Sequence, residues 1–78
     1  MLNYSVKIES VKDLIELKNI ANRYHIKGMI NQNDFHGNMK SVLSNLIYLP
    51  LEDASIVIDD YKDSQVSYIT KAIQKFTA

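Results

Sequence analysis

Cysteine is absent from the 78 residues. Disulfides, thiolate zinc sites and thiol redox chemistry go with it. Nothing covalent therefore supports a chain whose length allows one domain, residues 1–78, and a domain of this size buries only roughly 60% of its unfolded surface. There is also no excess of charge of either sign. Lys plus Arg and Asp plus Glu number nine each, for a net charge of zero. The basic residues are scattered from Lys7 to Lys75. They cannot make the concentrated positive field that releases counterions from phosphates, so no nucleic-acid partner is expected. Long apolar runs are missing as well, so no membrane insertion is expected. Met1-Leu2-Asn3-Tyr4 lacks the basic-then-apolar order of a signal peptide. No repeat, low-complexity tract or linker interrupts the chain. These absences lead to the expectation of a cytoplasmic domain with no cofactor and no metal.

What is present is a core-forming pattern. The hydrophobic fraction of 46% is too high for a disordered chain. Leu2, Tyr4, Val6 and Ile8 alternate with polar residues, which predicts a strand with one buried face. At Ser10 the period changes to that of a helix, with Leu14, Leu17, Ala21 and Tyr24 on one stripe. Ser10 and Asp13 have the spacing of a capping box. Residues 25–31 and 35–40 read as two strands around a turn at Asn31-Gln32-Asn33-Asp34, with Gly37 weakening the second. A short helix follows, with Ser41 as its expected N-cap and Pro50 ending it. Glu52-Asp53 read as a turn and residues 54–59, centred on Ile56-Val57-Ile58, as a strand. Asp63 or Ser64 is expected to cap a last helix whose stripe is Val66, Ile69, Ile73 and Phe76.

The predicted order is β-α-β-β-α-β-α. Each helix has one apolar stripe and the first strand one apolar face. An α+β open-faced sandwich satisfies both, with a four-stranded antiparallel sheet and three helices on one side. A ferredoxin-like domain with an added helix is the competing arrangement, and the short middle helix argues against it.

The order and the run Lys40-Ser41-Val42-Leu43-Ser44-Asn45-Leu46 resemble HPr, the histidine phosphocarrier of the bacterial phosphotransferase system. In that family the run is lysine, serine, an aliphatic, a large apolar residue, glycine, a variable residue and methionine. Ile56-Val57-Ile58 is similar to the strand that follows, and Ala21 and Tyr24 to the alanine and aromatic late in the first helix. The departures carry the functional reading. The family's active loop, glycine-isoleucine-histidine-alanine-arginine-proline, precedes the first helix. In its place stand Glu9-Ser10-Val11-Lys12-Asp13, with Ser10 at the histidine, Lys12 at the arginine and Asp13 at the proline. Serine has no imidazole nitrogen to take phosphate from a phosphoenzyme, and Asp13 repels an incoming phosphoryl group. The resemblance thus implies a degenerate phosphocarrier loop and no enzyme activity.

The same resemblance marks Ser41 as a candidate for regulatory phosphorylation by an ATP-dependent kinase, where a plain N-cap is the other reading. It marks Val42, Leu43 and Leu46 as a candidate docking surface for a protein partner, one that also recognises HPr, where membership of the core is the other reading. Ser10 and Lys12 are either an anion site at a helix start or a cap with a solvated lysine. His25 and His36 lack the companions of a metal site. Three functions stay open at this point. One is a non-catalytic regulatory or docking protein related to the phosphotransferase system. The second is a phosphocarrier working through another nucleophile, for which His36 must lie beside the Ser10 loop. The third is a structural or assembly domain, including a homodimer.

Overall fold

The computed structural model describes residues 1–77. The first strand, β1 (Leu2–Ile8), leads into helix α1 (Val11–Tyr24). Strands β2 (Lys27–Gln32) and β3 (Phe35–Asn38) form a hairpin. A five-residue helix, α2 (Val42–Leu46), precedes the long strand β4 (Leu51–Asp60). A 3-10 turn (Asp63–Gln65) opens onto α3 (Val66–Ile73), and a second (Gln74–Phe76) closes the chain. The sheet order is β1-β4-β2-β3, and every neighbouring pair is antiparallel. β1 and β2 thus run the same way with β4 inserted between them, and α1 is the crossover that such a connection requires. This is the expected α+β open-faced sandwich.

Alternation decides the layers. Along β1, Val6 and Ile8 are buried while Asn3, Ser5 and Lys7 are exposed. Ala54, Ile56 and Ile58 of β4 and Ile30 of β2 continue the same buried face. The helices supply the facing side chains: Leu14, Leu17, Ile20 and Ala21 from α1, Ile69 and Ile73 from α3, and Phe76 just beyond it. Fully burying one such side chain is worth about 1.5–3 kcal/mol, which is how a small domain without a cross-link stays folded. Two surface contacts tie α3 and the 3-10 turn after it to their neighbours. Tyr4 Oη and Thr70 Oγ1 share a hydrogen bond of 2.7 Å, and Lys75 pairs with Glu16 of α1.

Several boundaries differ from the sequence reading, each for a physical reason. His25 does not start the second strand. It ends α1 in the left-handed region at φ 53°, and Ile26 N–H closes the helix on Ala21 O. The hairpin turn is tighter than expected. Gln32 pairs with Phe35, so two residues make the turn, and Asn33 takes the positive φ of 54° that it needs. Glu52 and Asp53 are not a turn. They lie inside β4 at a bulge, where Val6 pairs with Ala54 but Ile8 pairs with Leu51. The last helix has no side-chain cap from Asp63 or Ser64, because those residues form the 3-10 turn before it.

Candidate functional site

The loop between β1 and α1 is closed on itself. The Asp13 amide donates to Ser10 Oγ at 3.4 Å. The Asp13 carboxylate accepts from the Glu9 amide at 2.9 Å and the Ser10 amide at 3.4 Å. The predicted capping box is therefore formed. Its consequence is chemical as well as structural. The free amides at a helix start are what an anion would bind, and here Asp13 already occupies two of the loop's amides with a negative charge. Ser10 and Lys12 are both exposed, and neither has a histidine beside it in the chain.

Ser41 behaves differently. It holds the N-cap position of α2, and its carbonyl accepts from Asn45 N–H at 3.2 Å. Its side chain makes no capping bond, so the plain-cap reading of the hydroxyl is corrected. The following residues split between the core and the surface. Val42, predicted for the docking surface, is half-buried and packs against the core, so only part of it is open to a partner. Leu43 is 83% exposed and Leu46 41%. Ile47 at 79% and Tyr48 at 48% extend this face beyond the three predicted residues. Helix α2 ends at Leu46, three residues before the expected end, and Tyr48 and Leu49 amides continue it only as turns. The signal for Ile47 was its spacing of four from Leu43 in a run with more apolar positions than one buried stripe can take.

Asn45 was not singled out from the sequence, yet it organises this corner. It is the buried polar residue of the described chain, 1% exposed, and its Nδ2 donates to Asn38 O at 2.9 Å. Its Oδ1 is buried without a partner among the described residues. That oxygen lies where a side chain on Gly37 would begin, and Phe35 Cζ is 2.6 Å from the same point. Gly37 is thus the residue that lets α2 close onto β3, rather than a weak point in the strand. Tyr48 stacks on Phe35 with ring centroids 4.1 Å apart, fastening the same junction.

The structure does not bring His36 to the Ser10 loop. β1 and β3 are the opposite edges of the sheet, three inter-strand steps or roughly 14 Å apart. His36 also points to the open face, where its Nδ1–H donates to Asn31 Oδ1 at 2.7 Å. His25 is exposed at the end of α1. No group of three metal-ligating side chains occurs among the described residues, and no helix among them is long and apolar enough to cross a membrane. In comparisons with known proteins, the chain matches no family model, no curated protein and no solved structure.

Proposed function

We propose that this chain is a non-catalytic, HPr-like regulatory or docking protein that meets its partner through the outer face of α2. The observation that carries this reading is the exposure of Leu43 and Ile47, 83% and 79%, in a segment with no charged residue from 41 to 51. Water gains by the removal of such side chains, and exposed apolar groups clustered on one element are the usual mark of a contact surface. Val11 and Ile15 of α1, the helix packed beside α2, are also exposed. The self-satisfied capping box at Ser10 and Asp13 supports the absence of phosphocarrier chemistry. Ser41, whose hydroxyl is not engaged in a cap, is the proposed position of any regulatory phosphate.

The test is intact mass after separate incubations with Enzyme I plus phosphoenolpyruvate and with HPr kinase plus ATP, joined to binding measurements with both proteins. The expected results are no acid-labile phosphate and binding that weakens about tenfold in the Leu43→Asp, Ile47→Asp double variant. An acid-stable phosphate abolished by Ser41→Ala would add the regulatory role. An acid-labile phosphate would overturn the non-catalytic reading, and no binding to either protein would overturn the docking reading.

A further inference from the structure

β3 is an outer strand of the sheet, with β2 on one side and, among the described residues, no strand on the other. Its hydrogen-bond phase determines which backbone groups turn outwards. Met39 N–H donates to Gly28 O at 3.0 Å, and the same register pairs Ile30 with Gly37 and Gln32 with Phe35. Bonded and non-bonded pairs alternate along an antiparallel ladder. The backbone groups of Phe35 and Gly37 therefore face β2, and those of His36 and Asn38 face away from the sheet. One outward group is already used: the Asn38 carbonyl accepts from Asn45 Nδ2 at 2.9 Å and from Ser41 N–H at 3.0 Å. The N–H and C=O of His36 and the N–H of Asn38 have no partner among the described residues.

Beside this edge lies a cleft of about 410 Å³ between β3 and α2, lined among others by His36, Gly37, Ser41, Ser44, Asn45 and Tyr48. A free strand edge next to a side-chain-sized cleft is what strand addition uses. Backbone hydrogen bonds supply affinity, and the cleft reads alternate side chains of the added strand. We propose that the β3 edge and the β3–α2 cleft take an extended peptide segment of another protein as a fifth strand of the sheet. Charge narrows the peptide. The lining contains Asp34 and no lysine or arginine, so the side chain entering the cleft is uncharged or basic. A second copy of this chain fits less well. Two β3 edges related by a two-fold axis through His36 would form two backbone bonds, whereas a free peptide can meet all three open groups. Leu43 and Ile47 do not line this cleft. The inference therefore goes beyond the docking face proposed above and does not depend on it.

The experiment is an NMR titration of the full chain with capped peptides of about six residues, a normal strand length. The peptides alternate valine and threonine, with the central residue varied. Uncharged or basic central residues are expected to shift the His36 and Asn38 amides and to slow exchange at His36. A central glutamate is expected to weaken binding about tenfold. N-methylation of the pairing peptide amides is expected to abolish the shifts. His36→Pro removes an outward N–H while sparing the ladder to β2, as proline on an edge strand does, and Ser44→Phe fills the cleft. Each is expected to weaken binding about tenfold, and the second variant covers a failure of the first to fold. Lys7→Ala, on the opposite edge strand and exposed, is expected to leave peptide binding unchanged. The proposal is overturned if no peptide at millimolar concentration moves His36 and Asn38, or if the shifts survive N-methylation. It is also overturned if His36 is protected without peptide in a chain that sediments as a dimer.

Discussion

Two serines begin two helices in this molecule, and their surroundings make them different residues. Ser10 starts α1, fourteen residues long, and its hydroxyl is bound into a reciprocal cap with Asp13. Ser41 starts α2, five residues long, and its hydroxyl caps nothing. The helices follow suit. α1 buries Leu14, Leu17, Ile20 and Ala21, whereas α2 buries only Asn45 and leaves Leu43 in water. An isolated helix of one or two turns is unstable in water. α2 is therefore held by what its ends attach to: the Asn45–Asn38 hydrogen bond, the Tyr48–Phe35 stack and half-buried Val42. One helix is made by its own sequence and the core beneath it. The other is a loop clamped into a helical turn, with its apolar side chains left on the outside.

The largest effect that tests this contrast is a pair of truncations measured by urea unfolding. Leu17→Ala opens a cavity in the core and is expected to cost about 2–5 kcal/mol. Leu43→Ala touches only solvent and is expected to stay within about 0.5 kcal/mol. A large loss at Leu43 would mean that α2 carries core packing after all. Next is the clamp. Asn45→Ala leaves the Asn38 carbonyl with one donor fewer and removes a buried side chain, with an expected cost of about 1–3 kcal/mol. Gly37→Ala forces the Asn45 side chain aside, and a loss of about 1–3 kcal/mol is expected there as well, read by thermal unfolding. If the two losses fail to couple in the double variant, Gly37 and Asn45 do not act as one junction.

Smaller effects sharpen the comparison between the serines. Ser10→Ala is expected to cost about 1 kcal/mol, since it removes an engaged cap, and Ser41→Ala less than about 0.5 kcal/mol, since it removes none. Equal costs in chemical denaturation would erase the distinction. The smallest expected change is at the surface pair of Lys75 and Glu16. Lys75→Ala is expected to cost about 0.2–1 kcal/mol, and less as salt is raised, because the lysine is 58% exposed.

The elements that could be read from the chain were those whose signal is local and repeated. The alternation in β1, the stripe of α1 and its capping box each recur over several residues, and each formed as expected. The misread places had one short cue and two outcomes. Glu52-Asp53 can turn a chain or bulge a strand, and pairing with β1 decided for the bulge. His25 can open a strand or close a helix, and the buried position of Ile26 drew it into the left-handed cap. For the candidate site, the sequence marked a segment with exposed apolar residues but could not sort its side chains. Val42 and Leu43 are adjacent and equally apolar, yet one packs on the core and the other faces water.

The sequence by itself determined that this is a single α+β layer of helices on a sheet, because hydrophobic period and capping chemistry act over a few residues. It also determined the reciprocal cap between Ser10 and Asp13, because that depends on residue type and a spacing of three. Only the tertiary structure decided that β4 enters between β1 and β2. It alone set β3 at the edge with His36 facing outwards, and closed α2 onto Gly37 through Asn45. Those outcomes rest on pairings between residues distant in the chain, where register and close packing, rather than local preference, set which groups are covered and which stay free.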